Sequence, residues 1–266
     1  MSEATVATIQ GFQAGYVTIA GLPTWHEVAG EGPTVVLLHG AFSGAVAWAA
    51  QASALASAGF RVHVPERRGH AHTPDVDGPL TYDVMAADTI AYLEAEAGGP
   101  AHLVGWSDGA VVALLVALRR PDLVERLVLI GQYYNSSGRV QGSPLERLLH
   151  SGELREYLRQ GYAAVSPDGA AHFEVVYAKT MAMIDSEPEI DLETLTAVSA
   201  PALVLQGDRD EVTLEHGAAV AAVLRDGRLA VLPGTHGLPV ELPELVNALL
   251  ISFLRGTVPP PTWIRP

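Results

Sequence analysis

Short, continuous apolar runs ending in glycine or proline limit what this chain can fold into. They are "TVVLLHG" (34–40), "FRVHVPE" (60–66), "AHLVGW" (101–106), "RLVLIG" (126–131), "PALVLQGD" (201–208) and "GRLAVLPG" (227–234). Their length, their Val/Leu content and the flanking Gly and Pro favour strands over buried helix pieces. Helical stretches lie between most of them: Trp48–Ala58, one carrying Met85, Ile90 and Leu93, "AVVALLVALRR" stopped by Pro121, and "EHGAAVAAVL". A further helix, "PELVNALLISFL", closes the series. A strand apolar on both faces has to be covered on both faces, so this alternation predicts a parallel sheet between two helical layers. Ahead of it, "YVTIAG" (Tyr16–Gly21) and "PTWHEVAG" (Pro23–Gly30) read as paired antiparallel strands joined by a Gly/Pro turn. The expected fold class is α/β, with about eight strands, mostly parallel, and helices on both faces.

The alternation stops between Gly131 and Ser199. That stretch reads as helices only: "SPLERLLHSGELREYLRQGYAAV", "SPDGAAHFEVVYAKTMAMIDS" and "PEIDLETLTAV", each with Ser or Pro near its start. The expected division is a core of residues 1–130 and 199–266, with a helical lid, 131–198, inserted after the sixth strand. The tail "TVPPPTWIRP" reads as an extended or disordered end.

Composition removes several function classes. The net charge of −14 repels phosphate backbones and anionic lipid, so neither nucleic acid nor a bare membrane is an expected partner. The absence of cysteine removes disulfides, thiolate metal sites and thiol catalysis. "MSEATVATIQGFQ" does not resemble a signal peptide, and the longest apolar run, Ala110 to Leu118, is far below the roughly 18 residues of a membrane span. A soluble, cytoplasmic protein acting on a small molecule is expected, as a monomer or homo-oligomer. No nucleotide loop and no metal-ligand spacing stand out, so no metal and no cofactor is expected. His70, His72, Asp75 and Asp77 share one Gly/Pro loop and read as solvated.

"LVGWSDGAV" (103–111) carries the chemistry. Ser107 stands between Gly105 and Gly109 where a strand gives way to a helix, at the sheet edge where parallel sheets bind ligands. A turn that tight leaves no room for side chains two positions from its apex and exposes the apex hydroxyl beside a helix N-terminus. A serine hydroxyl needs a general base and a group to orient that base. Among the histidines, His26, His63 and His102 fall inside strands, His150 and His172 in the lid, and His216 on an exposed helix start. His236 follows "LAVLPGT" in a loop at the same sheet edge as Ser107. "ALVLQGDRDEV" offers Asp208 and Asp210 as the carboxylate, in the order serine, acid, histidine.

These segments resemble the α/β-hydrolase fold superfamily, in its lid-bearing, esterase-like form, over nearly the whole chain. "VVLLHGAFSGAVAW" resembles its oxyanion loop, "PERRGHAHT" its R-G-x-G-x-S loop and "GWSDG" its nucleophile elbow. "LVLQGDRDEV" resembles its acid loop and "LPGTHGLPVELPELV" its histidine loop. Ala71 and Thr73 replace the usual Gly and Ser, and Thr213 stands where proline is common. The resemblance selects Asp210, three residues past the glycine, over Asp208. It implies a Ser107–His236–Asp210 triad, with the backbone N–H groups of Ala41 and Asp108 receiving the oxyanion. Relatives with an aspartate nucleophile carry it at the apex, so Asp108, one position late, does not fill that role. Phe42, Trp106, Tyr133, Tyr134 and Leu238 are the candidate substrate-binding residues. The expected activity is hydrolysis of an ester, lactone or thioester of moderate hydrophobicity. Carbon–carbon bond hydrolysis, perhydrolysis and a slow or silent ligand receptor of the same fold are the alternatives.

Overall fold

The computed structural model describes residues 8–256, so the proline-rich tail lies outside the described residues. Eight strands form one sheet: β1 (Gln13–Ile19), β2 (Leu22–Ala29), β3 (Thr34–Leu38), β4 (Arg61–Pro65), β5 (Ala101–Trp106), β6 (Val124–Ile130), β7 (Ala202–Gly207) and β8 (Gly227–Leu232). Their order is β1-β2-β4-β3-β5-β6-β7-β8. Only β2 runs against the rest, antiparallel to both β1 and β4. β1 starts earlier than "YVTIAG", and the β1–β2 turn is Ala20–Gly21 with φ of 50° and 87°. Positive φ at both positions is the twist-matched two-residue hairpin turn.

Successive strand residues divide between two cores, as a doubly covered sheet requires. Val36, Leu38, Leu103, Leu127 and Leu129 face α2 (Tyr82–Tyr92), α3 (Asp108–Arg119) and α7 (Leu214–Val223). Val35, Leu37, Val104, Val128 and Ile130 face α1 (Ala49–Ser57) and α9 (Pro243–Leu254). Because β3 and β5–β8 run in parallel, the loops that follow β3, β5, β7 and β8 meet at one rim.

Between β6 and β7 the chain forms α4 (Pro144–Leu149), α5 (Gly152–Val165) and α6 (Phe173–Ser186), with a six-residue 3₁₀ turn at Leu192–Ala197. The long helical run read from Ser143 to Val165 is broken. Ser151 Oγ accepts the Leu154 N–H at 3.1 Å and starts a new helix, as Ser143 does for Glu146 at 3.0 Å. The insert carries its own small cluster, Tyr162, Phe173 and Val176.

Several polar residues read as solvated or exposed are buried. His72 Nδ1 donates to Glu66 Oε2, 3.0 Å away, and the ring stacks on Trp25. His70 is buried beside His39. Asp75 holds Lys179 Nζ at 2.6 Å and His172 Nε2 at 2.9 Å, both from the insert. Asp77 alone of that loop's set is exposed. His216 is not on an exposed helix start: its ring stacks on Tyr134 at 3.9 Å and its Nε2 accepts the Tyr134 N–H at 3.1 Å. Burial pushes the His216 pKa down to about 4. Among the described residues no His, Asp or Glu group could hold a metal ion, and no helix is long and apolar enough to cross a membrane.

Candidate active site

Ser107 occupies the apex between β5 and α3 with φ 56° and ψ −124°. A non-glycine residue held there costs on the order of 1–3 kcal/mol and persists only where its surroundings over-determine it. They do so here. The Ser107 N–H donates to Ile130 O at 2.8 Å, and Ser107 O accepts from Ala110 at 2.8 Å. A Cβ at Gly109 would lie 2.0 Å from Leu38 O, and one at Gly105 would lie 2.3 Å from Gly109 O. Both glycines are therefore steric necessities of the turn.

His236 comes from the loop after β8. Its Nδ1 is 2.7 Å from Asp210 Oδ1. That oxygen also accepts the N–H groups of Glu211 at 2.7 Å and Val212 at 3.3 Å, so it acts as an ionised acceptor. The proton of a neutral His236 then belongs on Nδ1, and Nε2 is left with its lone pair. Burial disfavours the imidazolium, but the hydrogen bond and charge of Asp210, helped by Glu211 and Asp108, outweigh it and raise the His236 pKa above its ordinary value. Trp106 Nε1 donates to His236 O at 2.8 Å and steadies the loop. Gly131 lets the ring approach, since a Cβ there would lie 2.9 Å from two of its atoms. Asp208 is spent on the loop, accepting the Gly234 N–H at 3.0 Å.

Ser107 and His236 line one cavity of about 650 Å³, with Asp210 behind the histidine. Gly40 lies against the serine: a Cβ on it would sit 3.3 Å from Ser107 Cβ. Ala41 and Asp108 line the same space. The Asp108 carboxyl is buried and accepts the Tyr82 hydroxyl at 2.9 Å. Burial raises its pKa, against the opposing influence of Arg67 and Tyr82.

Of the substrate-binding candidates, Phe42, Trp106 and Tyr133 line the cavity. Tyr134 does not: adjacent to Tyr133, it turns the other way onto His216 and the α3 side of the core. Leu238 does not either, because the short helix α8 (Leu238–Glu241) turns it into the opposite core. Sequence reading missed Leu145, Leu149, Met181 and Ile184, which line the insert side. Their i, i+4 and i, i+3 spacing was a usable signal for one helix face.

The departures in the loops have local reasons. Ala71, at the usual glycine position, keeps a left-handed φ of 46°. Thr213, at the usual proline position, donates its N–H to Gly138 O at 2.9 Å, a bond proline cannot make.

Comparison with known proteins agrees with this architecture. The pyrrolizixenacetamide deacetylase of Xenorhabdus hominickii is 28% identical, covering 85% of this chain and 92% of its own. The human serine hydrolase BPHL is 25% identical, covering 90% and 85%. Among solved structures, a serine hydrolase involved in carbazole degradation, the CarC enzyme, superposes with a TM-score of 0.76 at 23% identity, over 92% of this chain and 99% of that one. Residues 35–249 match the alpha/beta hydrolase family as a whole, and the chain belongs to that family.

Proposed function

We propose that the protein is a serine hydrolase that cleaves an ester, lactone or thioester of a small, moderately hydrophobic substrate through an acyl-enzyme on Ser107. The observation that carries this reading is the Asp210–His236 bond of 2.7 Å behind a strained Ser107 on one shared cavity. His236 Nε2 takes the Ser107 proton as Oγ attacks the acyl carbonyl. Asp210 holds the ring and offsets its charge. The backbone N–H groups of Ala41 and Asp108 receive the oxyanion, each donor of this kind being worth about 2.7–4 kcal/mol. His236 then protonates the leaving group, and water repeats the cycle.

Residues 131–198 serve as the lid, and Phe42, Trp106, Tyr133, Leu145 and Met181 shape the acyl and leaving-group pockets. The deacetylase among the relatives supports acyl transfer to water. No metal or organic cofactor enters this scheme, which runs in a soluble, cytoplasmic enzyme. Ser107→Ala should lower p-nitrophenyl ester turnover by about 10⁴-fold or more and abolish labelling by a fluorophosphonate, with Tm unchanged. Full activity in that variant removes the mechanism.

A further inference from the structure

Arg67 is a buried cation with no carboxylate in hydrogen-bond contact. It stands just past β4 and is 5% exposed, and its Nε and Nη1 have no partner among the described residues. The Asp108 carboxyl offsets this charge only through space, and a buried charge without a hydrogen-bonded partner is costly, so its use has to be sought in what the remaining nitrogen does. Nη2 donates to two consecutive carbonyls, His39 O at 2.6 Å and Gly40 O at 3.0 Å. The Arg67 backbone N–H, at 3.1 Å, donates to His39 Nε2. That bond requires Nε2 to be unprotonated, so the His39 proton sits on Nδ1, which donates to Gly40 O at 2.8 Å. Burial, with the charge of Arg67 added, lowers the His39 pKa well below its ordinary value and keeps the ring in that neutral form. Gly40 O therefore accepts from two directions and has no freedom to turn.

Peptide planarity converts this into aim. In a trans peptide the C=O and the following N–H point in opposite directions. Fixing Gly40 O against Arg67 and His39 sends the Ala41 N–H to the other side. Gly40 touches Ser107, and Ala41 lines the cavity with it. We propose that Arg67 is the positioning residue of the oxyanion site: it locks the His39–Gly40–Ala41 turn so that the Ala41 N–H faces the oxygen of a Ser107 adduct, and it sets a fixed positive charge behind that peptide. Arg67 touches no substrate. Its role is felt only as negative charge develops. The inference rests on the acyl-enzyme reading above and deepens it.

The test compares Arg67→Met and Arg67→Lys with the wild type in three measurements. These are steady-state hydrolysis of a p-nitrophenyl ester, affinity for a trifluoromethyl ketone that adds to Ser107 as a tetrahedral anion, and affinity for the matching amide, which stays neutral. Loss of an oxyanion donor lowers kcat by about 10²–10³-fold, so loss of its positioning should give about 30- to 100-fold in Arg67→Met. KM should move less than about three-fold, the trifluoromethyl ketone should weaken in step with kcat, and the amide should bind as before. Arg67→Lys keeps the charge on a shorter side chain and should fall between the two, about three- to ten-fold down in kcat and in ketone affinity. If the methionine variant does not fold, the lysine variant carries the same comparison. A kcat equal to wild type in either variant overturns the proposal. So does equal weakening of ketone and amide, which would mark a general loosening of the loop. Fluorophosphonate labelling separates the two levels: a wild type unlabelled at Ser107 removes the acyl-enzyme reading, whereas a labelled wild type with fully active Arg67 variants removes only this inference.

Discussion

The loops after β3, β5, β7 and β8 make one wall of the cavity, and the insert makes most of the other. The first wall is fixed by backbone bonds and close packing: Ser107 N to Ile130 O, the glycines of the turn, and Arg67 on two carbonyls. Backbone bonds stitch the insert to the acid loop at its root, from Val140 N–H to Glu211 O and from Thr213 N–H to Gly138 O, each within 2.9 Å. Beyond that root it is held by side chains. Asp75 binds Lys179 and His172, the Asp75 N–H donates to Asp168, and the Tyr82 N–H donates to Glu187. Helix α4 buries none of its residues. Under the proposed function, groups that must hold sub-ångström geometry thus sit on the rigid wall, and groups that would meet varied substrate parts sit on the wall with weaker ties.

The largest effect should come from the rigid wall. Asp210→Asn leaves the shape of the site intact but removes the negative charge that offsets the His236 imidazolium and puts an NH2 donor beside the ring that can reverse its tautomer, and kcat should fall by about 10⁴-fold. Stopped-flow measurement of acylation checks this, and a loss under ten-fold would assign the orienting role elsewhere. Gly131→Ala should follow. Its Cβ would meet the His236 ring at 2.9 Å, on a backbone with φ of 58°. A loss of about 10²-fold in kcat is expected from displacing the base by a fraction of an ångström to an ångström. Lys179→Met tests the weaker wall. It should leave Ser107 labelling by a small fluorophosphonate within about two-fold and raise KM for long-chain esters by a few-fold, since single pocket contacts discriminate by only 1–3 kcal/mol, about 10–200-fold at most. A large kcat loss in that variant would show that both walls share one rigidity.

pH should separate the regions as well. His236 has a raised pKa and acts as a base only when neutral, so kcat/KM should fall as pH drops through a value above 6.5. Stability responds elsewhere. Burial lowers the pKa of His63 to about 4 and of His70 to about 3, in both cases from 6.5. The unfolded chain then binds more protons than the folded one below pH 6.5, so this stabilisation is full above that pH and is lost progressively as pH falls toward 4 and then 3. Thermal melts between pH 7 and 4 should show the decline, with activity lost first.

Legibility in the sequence followed the same division. The central strands were readable because each is apolar on both faces, and Ser107 was readable because Gly105 and Gly109 have no alternative at that turn. The helix break at Ser151 was not, because the spacing of apolar residues runs through it. His72 was misread as solvated because its burial depends on Glu66 and on Trp25, which lies far along the chain. Tyr133 and Tyr134 are neighbours with opposite directions, which no periodicity reveals without knowing how β6 ends.

Lys179 is the only lysine in the chain. An amine-reactive dye therefore has a single side-chain target, and that target is spent on Asp75, with 19% of its side chain accessible. Its amine should react faster when that contact and the bond to Val76 O part. The speed at which the dye attaches would thus count the partings, turning one residue into a built-in clock for the motion of the outer wall.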